Sequence, residues 1–233
     1  AGKWRKKEYG KARGLKDRTL GIVGLGSIGN AVARLAKAIG MNVIAYDPYI
    51  SAEMAANLNV ELVSLETLYA NADFITVHLP LTDETNQFVN AEALARMKPG
   101  VRLINCARGG IIDQAALLAA LDSGHVAGAA LDVFEKEPVP PGSPLLSNPK
   151  VIITPHIAGS TIEAQDQVAV DVAEQVVDVL SGRPARYAVN APLMAPRDLP
   201  FLTPYLDLAE RLGRVVVQLG GKNLKSCAIT YSG

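Results

Sequence analysis

Residues 20–29 read LGIVGLGSIG, a short apolar run followed by a glycine-rich turn. Gly24 suits a tight turn after a strand, Gly26 lets another molecule approach the backbone, and Gly29 lets the following helix pack on the strand. Free N–H groups at the start of a helix attract phosphate groups. The stretch therefore predicts a strand, a turn and a helix that bind a pyrophosphate, although glycines also cluster in turns by chance.

An acidic residue after the next predicted strand completes this pattern. Asp47 follows Val43–Tyr46, at the roughly twenty-residue distance where a carboxylate can accept hydrogen bonds from both ribose hydroxyls. The same carboxylate would repel a ribose 2′-phosphate, and neither Pro48 nor Tyr49 brings a compensating cation. The sequence therefore predicts that the chain binds NAD in preference to NADP.

Short apolar runs alternate with helical patterns up to Leu180, which is typical of a parallel sheet built from strand–helix units. The predicted fold class is α/β, a doubly wound parallel sheet that forms a Rossmann-type NAD-binding domain, with a C-terminal connector. The six predicted strands are Leu20–Val23, Val43–Tyr46, Phe74–Leu79, Val101–Asn105, Val126–Leu131 and Val151–Thr154.

Capping residues and helix breakers predict where the helices begin and end. The first predicted helix stops at Gly40, the second is capped by Asn90 and ends at Pro99–Gly100, and the third is capped by Asp113 and runs to about Gly124. A fourth helix starts with a Ser160–Glu163 capping box and runs to about Ser181. A fifth is predicted from Tyr205 to Leu219.

Composition predicts four segments along the chain. They are a basic lead-in over residues 1–18, the NAD-binding domain over 19–182, a connector with a helix over 183–222, and the start of a truncated domain over 223–233. The connector carries five prolines, which prevent a continuous helix up to Pro204. The chain starts without Met and ends in an apparent strand without a partner, so we expect a fragment. A solvated arm is the simpler interpretation of the basic lead-in.

The overall charge gives no reason to expect a nucleic-acid or membrane partner. Lys and Arg number 23, Asp and Glu also number 23, and no apolar run is as long as a membrane span. Cys106 and Cys227 are too few for a disulfide framework. We expect a cytoplasmic protein, or one of the plastid stroma in a plant, and no metal site.

Polar residues at the carboxyl ends of predicted strands indicate a catalytic site. Arg108 follows the fourth strand, Glu137 lies five residues beyond Asp132 at the end of the fifth, and His156 follows the sixth. Hydride transfer at a hydroxyl-bearing carbon needs one group that moves the hydroxyl proton and one that holds the negative end of the substrate. We predict that His156 moves the proton, that Arg108 binds the carboxylate, and that Glu137 orients the imidazole.

Simpler interpretations remain for these residues and their neighbours. Arg108 could pair with a surface acid, Glu137 could be solvated, and His156 could cap a helix. His78 is interpreted as lining the cleft and His125 as a surface residue. No base is evident near Cys106, so we interpret it as a backbone contact rather than a nucleophile.

The motifs resemble those of the D-isomer-specific 2-hydroxyacid dehydrogenases. The resemblance runs from about Gly2 to Gly182 and rests on residues 24–29, 105–110, 128–134, 137–138, 155–156 and 159–161. It implies NAD as cofactor, a small 2-hydroxy or 2-oxo acid as substrate, and a homo-oligomer, either a dimer or a tetramer. Residues 189–192 and 208–213 resemble the entry to the extra C-terminal region of one branch, whose substrate is phosphorylated.

The resemblance also implies a role for each matching position. Arg108, Glu137 and His156 keep the roles given above. Gly24, Gly26, Ser27, Ile28 and Gly29 would contact the pyrophosphate, Asp47 the adenosine ribose, and the nicotinamide half would lie among Leu79, Cys106, Ala107, Arg108, Asp132, His156, Ala158 and Gly159. Ser27 stands where many relatives have Arg. The substrate-binding lobe and the regulatory domains of the family have no counterpart in these residues.

Two alternatives stay open at this point. A glyoxylate or hydroxypyruvate reductase would share every motif up to Ser160. A dinucleotide-sensing protein of the corepressor kind could keep the arginine, the glutamate and the histidine without catalysing a reaction.

Overall fold

The structure is a computed structural model that describes residues 6, 10, 13–51, 55, 59–183 and 199–220. The chain divides into two compact units, Ala1–Ile162 and Glu163–Gly233. The domain limits at residues 18, 182 and 222 stay predictions. Along the chain the elements are β1 (Thr19–Val23), α1 (Ser27–Ala38), β2 (Asn42–Tyr46), β3 (Glu61–Leu62), α2 (Leu65–Asn71), β4 (Phe74–Val77), α3 (Ala91–Arg96), β5 (Val101–Asn105), α4 (Gln114–Ser123), β6 (Val126–Leu131), α5 (Pro144–Ser147), β7 (Val151–Ile153), α6 (Ile162–Leu180) and α7 (Leu199–Gly220).

The first unit is built on a seven-stranded sheet in the order β3-β2-β1-β4-β5-β6-β7. Every pairing in it is parallel. The strand order reverses between β1 and β4, and in such sheets the crevice at the carboxyl ends of these strands is the usual ligand site. The predicted α/β fold class is confirmed.

Apolar side chains on the two faces of the sheet form two separate cores. Successive residues of β1 point to opposite faces, so Val23 packs in one cluster with Leu68 of α2, and Ile22 packs in the other with Ala33 of α1. Helices therefore pack on both faces of the sheet at β1, which is the doubly wound arrangement.

The strand predictions differ from the structure at three places. The prediction of six strands missed β3, which pairs with β2 through Glu61 and Leu62 alone and is too short to show a pattern. β4 ends at Val77 rather than Leu79, because Pro80 has no N–H for a ladder and restricts the residue before it. β7 ends at Ile153, one residue before the predicted limit.

The predicted caps of α1, α3 and α4 are confirmed, but one helix is shorter than predicted. Gly40 and Gly124 take left-handed φ angles of 83° and 79° after α1 and α4. The Asn90 side chain accepts a hydrogen bond from Ala93 N–H at 3.0 Å. α3 ends at Arg96 rather than at Pro99–Gly100, because Met97 takes an extended conformation and buries its side chain.

The last two helices correct two further predictions. α6 begins at Ile162, so Ser160 lies two residues before the helix and is not its N-cap. α7 begins at Leu199 rather than Tyr205. Pro200 lies in its first turn, where no N–H partner is needed, whereas Pro204 lies inside the helix. The predicted terminal strand, residues 184–198 of the connector and most of the basic lead-in lie outside the described residues.

Within the described part of the chain, no helix combines the length and the apolar character needed to cross a membrane.

Candidate active site

The glycine-rich loop between β1 and α1 leaves backbone groups open where a ligand could lie. Gly24 has a φ of 92°, and a Cβ there would lie 2.6 Å from His78 O. A Cβ on Gly29 would lie 2.1 Å from Gly24 O, so both positions need glycine. A Cβ on Gly26 would instead face open space, and no side chain caps the start of α1 there. The free N–H groups at this helix start therefore fit a pyrophosphate.

Ser27 and Ile28 form the exposed first turn of α1, as the resemblance implies for pyrophosphate contacts. Asp47 lies at the end of β2 and reaches back to the same loop. Its Oδ2 accepts a hydrogen bond from Leu25 N–H at 2.8 Å, and its Oδ1 accepts one from Tyr49 N–H at 2.9 Å. Each carboxylate oxygen can accept a second hydrogen bond. The half-buried carboxylate thus supports the loop and keeps acceptor capacity for ribose hydroxyls.

His156, on the loop after β7, and Glu137, on the loop after β6, form a hydrogen-bonded pair. His156 Nδ1 lies 2.7 Å from Glu137 Oε2, and Glu137 Oε1 accepts a hydrogen bond from Phe134 N–H at 2.9 Å. The hydrogen bond from His156, supported by the one from Phe134, lowers the pKa of Glu137 below its usual value. With Glu137 ionised, Nδ1 carries the proton and Nε2 is left as the atom that can accept one.

The turn that carries His156 is anchored by Asp132, the residue directly after β6. Asp132 Oδ1 accepts hydrogen bonds from Thr154 Oγ1 at 2.5 Å and from Ile157 N–H at 2.9 Å. Its Oδ2 accepts one from Ala158 N–H at 2.9 Å. Burial alone would raise the pKa of Asp132, but these hydrogen bonds outweigh it and hold the pKa below its usual value. Asp132 is therefore a buried carboxylate that supports the loop.

Arg108 lies on the loop after β5, where the side chain of Asn105 fixes the backbone. Asn105 Nδ2 donates to Arg108 O at 3.0 Å, and Asn105 Oδ1 accepts from Ala107 N–H at 3.0 Å. The Arg108 side chain is exposed, donates to Ala107 O at 2.6 Å, and forms no ion pair with any described carboxylate. Most of the guanidinium donors are thus free for a substrate carboxylate.

A close backbone contact joins the Arg108 loop to the loop that carries Glu137. A Cβ on Gly109 would lie 1.8 Å from Phe134 O, so this position needs glycine. Phe134 N–H in turn holds Glu137, and Glu137 holds His156. The structure thus connects the three predicted catalytic residues through adjoining loops, although Arg108 makes no described hydrogen bond to Glu137 or His156.

The other predicted site residues lie along the same edge of the sheet. Leu79 and Ala107 are half-buried, while Ala158 and Gly159 are exposed next to His156. Cys106 is an exposed residue, but neighbouring atoms partly bury its thiol and raise the pKa of that thiol. The negative charge of Asp132 raises this pKa further. A raised pKa agrees with the interpretation that Cys106 is not a nucleophile.

The two remaining histidines differ in their surroundings. His78 Nε2 lies 3.0 Å from Thr76 Oγ1, and burial lowers the pKa of His78, while its place in the cleft stays a prediction. The prediction that His125 is a surface residue is wrong. His125 is half-buried and its Nε2 is shielded from solvent without a partner, because α3 and α4 pack around it.

Sequence reasoning assigned no role to Thr76, Asn105 and Thr154, and it placed Asp132 only at the nicotinamide half. Among the described residues, the buried polar side chains are those of Thr76, Asn105 and Asp132. All three lie at carboxyl ends of neighbouring strands, and each hydrogen-bonds a predicted site residue or its loop. Thr154 adds a hydroxyl contact to Asp132. A polar residue at the end of an apolar strand was the signal that could have found them.

An apolar cavity of about 490 Å³ borders the pair formed by His156 and Glu137. Its walls are Phe134, Pro138, Val139, Leu146, Ile153 and Pro155. No group of described His, Cys, Asp or Glu side chains could hold a metal ion. This arrangement can support proton transfer by an imidazole, with an exposed guanidinium on an adjoining loop and a glycine-rich loop whose N–H groups can hold a phosphate.

Comparisons with known proteins agree with this geometry. The family model described as "D-isomer specific 2-hydroxyacid dehydrogenase, NAD binding domain" matches residues 1–158. The chain is 51 % identical over 231 residues to a D-3-phosphoglycerate dehydrogenase of Synechocystis sp., covering 99 % of this chain and 41 % of the relative. It is 47 % identical over 233 residues to a D-3-phosphoglycerate dehydrogenase of Archaeoglobus fulgidus, covering 100 % of this chain and 44 % of that relative.

A solved structure with a similar fold is a D-lactate dehydrogenase with NAD+ from Lactobacillus jensenii. It is 30 % identical to the chain, has a TM-score of 0.71, and the match covers 77 % of this chain and 58 % of that one. The chain spans about two fifths of the length of the Synechocystis and Archaeoglobus relatives, 41 % and 44 % respectively.

Proposed function

Because this chain belongs to the D-isomer-specific 2-hydroxyacid dehydrogenases, we propose that it forms the NAD-binding part of a D-3-phosphoglycerate dehydrogenase. The reaction is the oxidation of 3-phospho-D-glycerate to 3-phosphohydroxypyruvate, at the head of serine biosynthesis. The substrate is proposed from the names of the relatives from Synechocystis and Archaeoglobus.

The contact that carries this proposal is the 2.7 Å hydrogen bond between His156 Nδ1 and Glu137 Oε2 at the carboxyl edge of the sheet. Glu137 is held as a carboxylate, because two hydrogen bonds lower its pKa. It fixes the imidazole tautomer in which Nε2 has a free lone pair. During oxidation, Nε2 of His156 takes the proton from the hydroxyl of the substrate. During reduction, the same atom returns the proton to the carbonyl oxygen.

Arg108 holds the carboxylate of the substrate in the proposed reaction. Its guanidinium is exposed and always charged, and its loop is fixed by Asn105. NAD, when bound, accepts the hydride from the hydroxyl-bearing carbon. The backbone of residues 24–29 would hold its pyrophosphate, and Asp47 would accept hydrogen bonds from its adenosine ribose. Both roles rest on the open space at Gly26 and on the acceptor capacity of Asp47.

We also propose that two copies of the chain associate through the face of the sheet at β4–β7. Ile152 is 70 % exposed there and borders a cavity of about 370 Å³, whose walls include Phe74 and Ile104. Pairing through the cofactor domain is common in the family, as the resemblance implies. Sedimentation velocity should give a dimer or tetramer, which Ile152→Asp should dissociate. A monomeric wild-type protein would contradict this.

The proposed location is a reducing compartment, the cytoplasm or, in a plant, the plastid stroma. The two cysteines of the chain are too few for a disulfide framework, which supports this. Fractionation of the native cells, followed by detection with an antibody, tests it. Recovery in a secreted fraction would contradict it.

The function is tested by NAD reduction with 3-phospho-D-glycerate, using the protein at its full natural length. Wild type should turn over, and His156→Ala should lose about 10²- to 10⁴-fold in kcat, the usual contribution of a general acid or base. NADH affinity should change far less than kcat in this variant, because the imidazole is only one of the groups expected around the nicotinamide half. Arg108→Ala should mainly raise KM for the hydroxyacid.

Other outcomes of the same assays favour the alternatives. Faster NADH oxidation with glyoxylate than with 3-phosphohydroxypyruvate would indicate a reductase of the same family. Tight NADH binding without activity on any 2-hydroxyacid would contradict the enzyme and favour a dinucleotide-sensing protein.

A further inference from the structure

The turn that carries His156 has a backbone that needs support. His156 has a φ of 55°, in the left-handed region that residues other than glycine rarely adopt. The hydrogen bond from Ser160 N–H to Ile157 O, at 3.0 Å, closes the turn on its far side. On its near side, Pro155 has no N–H to donate. The position of the imidazole therefore depends on the groups that hold Thr154, Ile157 and Ala158.

Asp132 supplies this support from the neighbouring strand. Its two oxygens accept the N–H groups of Ile157 and Ala158, the two residues directly after His156, at 2.9 Å each. Asp132 is 2 % exposed, so solvent competes little for its carboxylate. The direction in which the carboxylate points thus sets the place of the turn.

Thr154 fixes that direction. Its N–H donates to Leu131 O at 3.1 Å, which continues the pairing of β6 with β7 and brings the side chain next to Asp132. Its hydroxyl then donates to Asp132 Oδ1 at 2.5 Å, the distance of a strong hydrogen bond to a charged acceptor. The Thr154 hydroxyl and the two N–H groups together hold the Asp132 carboxylate in one orientation.

We propose that Thr154 is a positioning residue for His156, acting through Asp132. This inference rests on the proposed function, because it assumes that His156 moves the proton. Thr154 orients the carboxylate, the carboxylate holds the N–H groups of Ile157 and Ala158, and the turn presents Nε2 of His156 to the substrate.

Replacing the hydroxyl of Thr154 tests this with a matched pair of variants. Thr154→Val keeps the branched shape and removes the donor, whereas Thr154→Ser keeps the donor. The residue is exposed, so neither change disturbs buried packing. Thr154→Val should lower kcat about tenfold with little change in KM, since a small displacement of a catalytic group costs rate rather than binding. Thr154→Ser should stay within about twofold of wild type.

Hydrogen exchange of the backbone amides gives a readout that needs no activity. The amides of Ile157 and Ala158 should exchange about tenfold faster in Thr154→Val, the loss of roughly one hydrogen bond to a charged group. Thr154→Ser should keep their protection. Amides of β1, remote from this turn, report whether each variant is folded.

The possible results separate the two proposals. Unchanged exchange at Ile157 and Ala158, or equal kcat in Thr154→Val and wild type, overturns the role of Thr154. Equal losses in the Val and Ser variants also overturn it, because the hydroxyl would then be irrelevant. A wild-type protein that is inactive on every D-2-hydroxyacid overturns the proposed function, while the exchange data still decide whether Thr154 holds the turn.

Discussion

Two loops at the same edge of the sheet are each held by an aspartate from a neighbouring strand, but the two aspartates are used differently. Asp47 accepts Leu25 N–H of the glycine-rich loop, is half-buried, and has acceptor capacity left. Asp132 holds the His156 turn, is 2 % exposed, and accepts three hydrogen bonds from the protein.

The difference separates ligand binding from support. A carboxylate that stays partly in solvent can exchange water for ribose hydroxyls, so its loss should weaken a ligand more than the fold. A buried carboxylate that already satisfies three donors should stabilise the fold, because its removal leaves those donors without their partner. We therefore propose different functions for the same residue type in the same place relative to its strand.

The largest expected effect is on folding stability. Asp132→Ala should destabilise the protein by about 3 kcal/mol, since hydrogen bonds to charged groups contribute about 1.5–3 kcal/mol and the donors left behind lose their acceptor. Asp47→Ala should cost about 1 kcal/mol, because water can replace the carboxylate there. Urea unfolding followed by circular dichroism measures both values.

The control for this pair is Asp122→Ala, which removes an exposed aspartate from α4 and should change stability by less than about 0.5 kcal/mol. Equal losses for Asp47→Ala and Asp132→Ala would show that burial does not separate the two carboxylates, and the comparison would fail.

The next effect is on cofactor binding by the loop that Asp47 supports. Gly26→Ala should raise the Kd for NADH about 100-fold, which is a loss of about 2.7 kcal/mol in binding free energy. The reason is that the methyl group fills the open space beside the start of α1. Its fold should be unchanged, since the φ of −68° and ψ of −163° at Gly26 suit any residue. Isothermal titration calorimetry and thermal unfolding measure the two properties.

Two other glycines provide controls for Gly26→Ala. Gly213→Ala lies in α7 with open space around the new methyl group, so it should leave NADH binding unchanged and should not lower the unfolding temperature. Gly29→Ala places a methyl group 2.1 Å from Gly24 O and should lower the unfolding temperature. If Gly26→Ala bound NADH as wild type does, the glycine-rich loop would not be the pyrophosphate site.

The sequence predicted the fold and the cofactor loop because both depend on local patterns. Apolar runs, the glycine triad and the capping residues Asn90 and Asp113 act within a few residues of the chain, and β1, β2, α1 and α4 were found close to their true limits. β3 was missed because its two residues belong to the sheet only through β2, which lies fifteen or more residues earlier in the chain.

The support of the candidate site could not be predicted in the same way. Asp132 was assigned to the nicotinamide half from a resemblance, and its contacts with Ile157 and Ala158 span 25 and 26 residues. Thr154 and Asn105 received no role, because a single polar residue in a strand does not reveal which loop it will hold. Such contacts follow from the strand order, which a sequence pattern does not give.

A smaller effect concerns the choice between the two dinucleotides. Wild type should bind NADH at least about tenfold more tightly than NADPH, because the proposed contact of Asp47 with the adenosine ribose would repel a 2′-phosphate. Asp47→Ser should bind NADH about tenfold more weakly and lose this preference. Asp132→Asn, measured in the same titrations, should keep the preference of wild type. Tighter binding of NADPH to wild type would contradict the role of Asp47.

The smallest effect is a change in how stability depends on pH. The pKa of Asp132 is below its usual value in the folded state, so the folded protein binds fewer protons than the unfolded chain between the two pKa values. The stability that Asp132 contributes is full above its unfolded pKa of about 4 and is lost as the pH falls through the lower folded value. Unfolding free energies measured between pH 6 and pH 3 should therefore fall less steeply for Asp132→Asn than for wild type.

Comparison of these two pH slopes isolates Asp132, because the lowered pKa values of Glu66, Asp73 and Glu137 are present in both proteins. An electrostatic interaction with His156 also contributes to the lowered pKa of Asp132, so the same measurement on His156→Ala corrects for its contribution. Equal slopes in wild type and Asp132→Asn would mean that the pKa of this carboxyl is the same in the folded and the unfolded protein. The two N–H groups and the hydroxyl would then not favour the ionised carboxylate, and the buried aspartate would support its loop no better than the half-buried Asp47 supports its own.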